Sequence, residues 1–254
     1  MVKDAMQENP PHTDDAVLNG RVWLRQPLDG YRAGVDAALL AAACDARPGE
    51  RVLDVGCGVG GAMLAAAIRR SDCTFVGLER DPTVRAFALQ NIELNRLSGR
   101  VEALPGDVAL PYSKFSRKTF DAVISNPPFF DDERALRGPS PARRGAWIAD
   151  AGLPAWTTFL TKAVRERGTI TVIHRADRLG DILALLDDKC GSFKVRPIHP
   201  FADAPAKRVL VRAIKTGKAP LVLLPPLVLH TRGGLGHTPE TEAILRGEAD
   251  LPWS

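Results

Sequence analysis

Arg51-Val52-Leu53-Asp54-Val55-Gly56-Cys57-Gly58-Val59-Gly60-Gly61 is the stretch from which the fold of this chain is read. A Pro48-Gly49 turn precedes it, Val52 to Val55 have the character of a buried strand, and Ala62–Arg70 reads as a helix. Strand, glycine turn and helix in that order make a ligand cradle. The glycines let backbone approach a bound group, and the helix start offers free N–H groups. Outward from it, Thr74–Glu79 is a second strand ending in an acid. Pro82 opens a helix through Leu97, with Phe87, Ile92 and Leu94 facing inward. Val101–Asp107 is a third strand with an acid at its tip, and Phe120–Ser125 a fourth. This alternation predicts an α/β fold, a doubly wound and mostly parallel sheet in a single domain.

The fourth strand stops at Asn126-Pro127-Pro128-Phe129. Proline has no N–H for a sheet ladder, so Asn126 falls at the strand's carboxyl end, where open α/β sheets bind ligands. The bland reading is that Asn-Pro-Pro only ends a strand. The chemical reading is that the Asn126 side-chain oxygen and the Pro127 carbonyl accept the two N–H bonds of an amino or amide nitrogen. That aims a lone pair otherwise delocalised into its π system. Phe129 then stacks on the planar group, a contact worth roughly 1–3 kcal/mol for a base. Such catalysis works by orientation and placed dipoles.

Two cofactor classes compete for the glycine turn. Gly56-x-Gly58-x-x-Gly61 fits a dinucleotide fingerprint, with Glu79 about 20 residues on to hold ribose hydroxyls. The run Asp54-x-Gly56-x-Gly58-x-Gly60 instead resembles the loop of S-adenosylmethionine enzymes. Asp54 favours the second: a carboxylate there suits the methionine ammonium and would repel a pyrophosphate. Glu79 then accepts from both ribose hydroxyls, and Asp107 accepts from the adenine amino group.

With 254 residues, 45% of them hydrophobic, the chain can bury a full core. No apolar run is long enough to span a membrane, no signal peptide is evident, and the four cysteines lack metal spacing; they read as reduced thiols of a cytoplasmic protein. The net charge of +4 is concentrated after residue 130, which fits a polyanionic partner or a solvated surface. Residues 1–19 read as a disordered tail, and 20–254 as the domain, its segment 20–46 forming an arm and helix that cover the cofactor. Residues 130–152, rich in Arg, Gly and Pro, read as a lid, and Arg134, Arg137, Arg143 and Arg144 are candidates for phosphate contact. Beyond it lie a helix at Pro154–Arg167, a strand at Thr169–His174 and a helix capped by Asp177. His174 reads as structural. Ser192–Ile198 and Arg208–Lys215 form an antiparallel pair at the sheet edge, where basic side chains such as Lys207 and Arg208 either meet RNA or discourage aggregation. Leu251–Ser254 reads as loose.

Taken together, Asp54–Gly60 and Asn126–Phe129 resemble the class I methyltransferases acting on nitrogen. Gln26–Leu40, Lys207–Val211, Leu227–His230 and Ala243–Arg246 are similar to the bacterial tRNA1(Val) adenine-37 N6-methyltransferase family, over roughly residues 20–247. That resemblance implies a Rossmann-like, seven-stranded sheet, S-adenosyl-L-methionine as donor, an adenine beside the anticodon of a tRNA as acceptor, and no metal. Carried over by position, Asn126, Pro127 and Phe129 serve the acceptor. Asp54, Gly56, Gly58, Gly60, Glu79, Arg80, Asp107, Val108 and Asn126 bind the cofactor, with Gln26, Arg32 and Asp36 closing over it. Phe129 stands where tyrosine is commoner in the family; stacking survives that change and a hydroxyl contact does not. The acidic N-terminal tail also lies outside the pattern. Rival readings are methylation of a protein glutamine amide or of guanine N2 in ribosomal RNA, a catalytically silent RNA-binding protein, and a dehydrogenase.

Overall fold

The computed structural model describes residues 11–29, 32–116, 118–129 and 152–254. The four loop arginines, Arg134, Arg137, Arg143 and Arg144, lie outside them. A hairpin of β1 (His12–Val17) and β2 (Val22–Pro27) leads into α1 (Val35–Ala43). Then come β3 (Arg51–Val55), α2 (Gly61–Arg69), β4 (Thr74–Glu79), α3 (Pro82–Leu94), β5 (Val101–Pro105), a single helical turn α4 (Tyr112–Phe115) and β6 (Phe120–Ser125). The described chain resumes with α5 (Gly152–Ala163), β7 (Val164–Arg175), α6 (Leu179–Asp187), β8 (Cys190–His199) and β9 (Arg208–Lys215). It closes with β10 (Val222–Leu223), β11 (Leu227–Val228) and α7 (Pro239–Leu245).

The strands line up as β10-β8-β9-β7-β6-β3-β4-β5, with β11 also on β8. Neighbours are parallel except β9, which is antiparallel to both β7 and β8. Seven long strands therefore make the expected sheet, and two two-residue strands extend its far side. From β3 the chain turns one way to β4 and β5 and the other way to β6 and β7, which opens a crevice at the carboxyl ends of β3 and β6. The Ser125 hydroxyl donates to the Val55 carbonyl at 2.8 Å and fastens those two strand ends together. Helices α1 and α2 cover one face through Leu39, Leu40, Met63 and Leu64, and α5 and α6 cover the other through Trp156, Phe159, Leu160 and Ile182.

Several local expectations change. Residues 12–17 are a strand rather than part of a disordered tail. It is held by polar pairing: Asp14 takes Arg25 at 3.0 Å, and Asp15 takes Gln26 at 2.7 Å and Arg32 at 2.5 Å. Leu94 points outward, 46% exposed, since α3 ends there and its buried stripe is Phe87, Ala88, Asn91 and Ile92. Val164–Arg167 belong to β7, because Val164 pairs with Phe120 and Arg165 reaches Asp121 at 2.6 Å. Asp177 caps nothing; it is ion-paired with Arg175 in a 3-10 turn ahead of α6. β9 is interior rather than at the edge, so its charges are satisfied inside the molecule: Arg212 on Asp45 at 2.6 Å, Lys215 on the Val164 carbonyl at 3.0 Å. The C-terminus is not loose. Leu251 and Trp253 are buried, and the Trp253 indole N–H donates to the Ala43 carbonyl at 2.7 Å. All four cysteines are buried free thiols.

Candidate active site

The glycine turn is shaped by its neighbours. Gly56 and Cys57 both donate to the Leu78 carbonyl, at 2.9 and 3.0 Å, which bends the chain sharply off β3. Gly56 has φ +73°, and a Cβ there would lie 2.4 Å from the Trp156 ring, so only glycine fits beneath that indole. Gly60, at φ +91°, stands at the N-cap of α2.

Asp54 is 2% exposed on β3, and its Oδ2 has no partner among the described residues. Burial raises its carboxyl to about 7, against the pull of the Met63 backbone N–H, with the nearby Glu79 charge adding to the rise. An orphaned buried carboxylate oxygen is costly unless a ligand completes it. Glu79 lies at the tip of the next strand, its carboxyl also raised by burial. One of its oxygens accepts from Gly58 N at 3.0 Å and the other from Asp81 N at 2.8 Å. The Gly58 N–H, which a pyrophosphate would need, is thus engaged by a carboxylate. This donor set fits a cationic, hydroxyl-bearing cofactor and does not fit a dinucleotide. Asp107 and Val108 follow β5, half-buried, with the Asp107 carboxylate accepting from Ala109 N at 2.8 Å, and Arg80 is exposed beside Glu79.

The arm meets this turn through the N-terminal hairpin. Gln26 is buried with both ends of its amide engaged, Nε2 on Asp15 and Oε1 accepting from Ala33 N at 2.8 Å. Arg32 ties Asp15, Thr13 and the Pro27 carbonyl together. Both residues build the arm. Two residues that went unnoticed in the sequence hold it down. Asn91 of α3 is fully buried: its amide accepts from Arg25 N at 2.7 Å and donates to the Arg25 and Val59 carbonyls, while Asn95 brackets Trp23 in the same way. Two asparagines four apart on one helix face are the signal, visible once β2 is recognised as needing an edge partner.

On the acceptor side, Asn126 leaves β6 half-buried, followed by buried Pro127 and half-buried Phe129. The Phe129 ring meets the His174 ring edge-on at 5.3 Å, and the Arg208 guanidinium lies 4.5 Å over its centroid. Arg208 also donates to Asp36 of α1 at 2.9 Å. Arg208 thus joins α1 to the Asn126–Phe129 motif, because β9 lies beside β7 and brings its first residue against Phe129. Lys207 is exposed, and burial pushes His174 down to about 4.

Comparison with known proteins agrees with this geometry. A family model described as "Methyltransferase small domain" matches residues 32–137. The tRNA1(Val) (adenine(37)-N6)-methyltransferase of Trichodesmium erythraeum is 27% identical over 206 residues, 78% of this chain and 83% of that protein. Its counterpart from Bacteroides fragilis is 32% identical over 183 residues, 71% of this chain and 76% of the relative. The chain belongs to the tRNA1(Val) (adenine(37)-N6)-methyltransferase family. A crystal structure of a predicted O-methyltransferase from Agrobacterium tumefaciens matches with a TM-score of 0.72 and 27% identity, over 85% of this chain and 98% of that one. The family model's segment spans both halves of the crevice, from Arg32 through the glycine turn to Asn126–Phe129 and beyond. Among the described residues no helix is long and apolar enough to cross a membrane.

Proposed function

We propose that this chain transfers a methyl group from S-adenosyl-L-methionine to the exocyclic N6 of an adenine in tRNA, at position 37 beside the anticodon, in the cytoplasm. The observation that carries the reading is the pairing of an orphaned Asp54 and a glycine turn with Asn126-Pro127, on adjacent strand ends fastened by Ser125. Membership of the family supplies the acceptor. Glutamine and guanine acceptors are not favoured by the relatives.

Adenosylmethionine supplies an electrophilic methyl group on a sulfonium. The protein's part is placement. Asp54 receives the ammonium, Glu79 the ribose hydroxyls, and Asp107 the adenine amino group, while Gly56, Gly58 and Gly60 allow close backbone approach. Asn126 Oδ1 and the Pro127 carbonyl accept hydrogen bonds from the two amino N–H groups of the substrate base, Phe129 stacks on its ring, and the methylated nitrogen then loses one proton to water. Lys207, exposed just ahead of β9, is a candidate for a phosphate contact.

The test is incubation of the protein with adenosylmethionine and unmodified total tRNA, followed by nucleoside mass spectrometry beside an Asn126→Ala control. N6-methyladenosine that appears with the native chain and vanishes in the control is the expected result. Methylated guanine, or no methylated nucleoside from a chain that binds adenosylmethionine, would overturn the acceptor.

A further inference from the structure

β8 runs parallel to β7, so its chain leaves the sheet at the same edge as Asn126. Beyond His199 it continues as Pro200-Phe201. β11 is parallel to β8 and delivers Leu229-His230 to that edge too, the pairing extended by Leu229 N to the His199 carbonyl at 2.8 Å and His230 N to the Pro200 carbonyl at 3.0 Å. There the side chains form a layered group. His230 and His237 stack at 4.8 Å with 24° between their planes, Phe201 stands 5.9 Å from His230, and the Arg232 guanidinium lies 4.7 Å over Phe201. An open cavity of about 580 Å³ adjoins them. Leu235, at the tip of Gly233-Gly234-Leu235-Gly236, is fully exposed.

This group is built and held. His230 and His237 face each other across a β-bridge, and Thr238, next in the chain, caps α7 while donating to the Val228 carbonyl at 2.8 Å. Flat faces held at a surface beside a cavity suit a planar partner. The charge pattern says which kind. Asp203 accepts from Arg232 Nε with both oxygens at 2.7 Å, which offsets the charge and holds the guanidinium with its plane over Phe201. Lys207 is exposed, and its backbone joins β8 to the end of β7 on the path toward Phe129. Three strand intervals, about 14 Å, separate the ends of β6 and β8. An enzyme that takes one base out of an anticodon loop removes a stacking neighbour from the bases that flank it.

We propose that Phe201, His230, His237, Arg232 and Leu235 form a stacking platform for an unpaired nucleotide flanking the target adenine. It rests on the reading of the acceptor as RNA. The platform reads base planes and the target pocket reads the amino group, so the flanking site tolerates any base.

The experiment measures tRNA affinity, methyl transfer and adenosylmethionine affinity for the native chain and for Phe201→Ala, Phe201→Tyr and Leu235→Glu. Phe201→Ala weakens tRNA binding roughly 5- to 100-fold and raises KM for tRNA, with kcat and adenosylmethionine affinity unchanged, and Phe201→Tyr restores it. Leu235→Glu, on a fully exposed tip that cannot affect folding, weakens it as well. Lys207→Ala lowers the slope of log affinity against log salt by about 1, whereas Arg232→Ala lowers affinity at unchanged slope. Native-like tRNA affinity in Phe201→Ala or Leu235→Glu overturns the platform and leaves the proposed function standing. Equal losses in Phe201→Ala and Phe201→Tyr, or a fall in kcat alone, mark a structural role and also overturn it. A native chain that neither binds nor methylates tRNA removes the function reading itself, and the platform with it.

Discussion

Replacing Asp54 by asparagine should stabilise the protein while removing its response to adenosylmethionine. Burial lifts this carboxyl from 3.8 to about 7. A raised folded-state value for an acid means the native state holds the proton more tightly. The cost of ionising Asp54 is therefore absent below about pH 4, grows as pH rises, and is complete above 7. At 1.36 kcal/mol per unit the full cost is about 4 kcal/mol. A buried asparagine whose amide lacks an acceptor returns roughly 1–2 kcal/mol of that. The net gain at pH 8 is about 2 kcal/mol, or roughly 4–8 °C in melting temperature for a chain of this size. His174 acts in the opposite sense. Burial depresses it to about 4, so its contribution to stability is present above 6.5 and lost as pH falls toward 4. His174 is common to both chains and cancels in their difference, so the comparison of Asp54→Asn with the native chain runs from pH 4 to 8.5. Melting curves with and without adenosylmethionine give the answer. The gap between variant and native chain should widen up to about pH 7 and then hold, and the cofactor should raise only the native melting temperature. A gap independent of pH would refute the burial argument, and an undiminished cofactor shift in the variant would refute the ammonium contact.

Gly56→Ala meets the Trp156 ring at 2.4 Å from a backbone at φ +73°, so it should lose about 2–4 kcal/mol in chemical denaturation and most of its cofactor affinity by calorimetry. Trp253→Ala removes a buried ring and its bond to Ala43; urea titration should give a loss of about 3–5 kcal/mol, with a far smaller effect on KM for either substrate. Arg208→Ala releases both Phe129 and Asp36, and steady-state kinetics should give a loss of roughly 5- to 30-fold in kcat/KM for tRNA, from a cation–π contact and an ion pair of about 0.5–1 kcal/mol each. His174→Phe should flatten the acid side of the stability profile between pH 6.5 and 4, followed by melting temperature.

The half of the sheet from β3 to β6 was legible because each of these strands carries its own evidence: an apolar run closed by an acid, a glycine or Asn-Pro. The placement of Asp54, Glu79 and Asp107 near the carboxyl ends of β3, β4 and β5 follows from the same strand signals. What escaped was held by partners distant in the chain. β1 is a polar strand whose acids are satisfied by Arg25, Gln26 and Arg32, and no apolar alternation announces it. Val164–Arg167 have helical composition, and pairing with Phe120 and Asp121 overrides it. Trp253 anchors the C-terminus through one carbonyl 210 residues away, a contact without periodicity. Charge alone offers Arg208 either to RNA or to the protection of a sheet edge, because the strand order that sets it against Phe129 is not visible in a sequence.

That order gives the crevice two halves of opposite character. Acids line the side of β3, β4 and β5, while the side of β6, β7 and β9 presents Asn126, Phe129 and Arg208. On the proposed function, a cationic cofactor and a base carried on a polyanion fall on opposite sides of one line, the Val55–Ser125 seam. Phe129 stands perpendicular to the His174 ring and has the Arg208 guanidinium over its face. Arg208 is in turn held by Asp36, in the helix that follows the arm. Orientation of the stacking ring is therefore tied to the seating of the arm by a single guanidinium. His174, pushed down to about 4 by burial, is a weak base there, and its ring serves as a wall against Phe129.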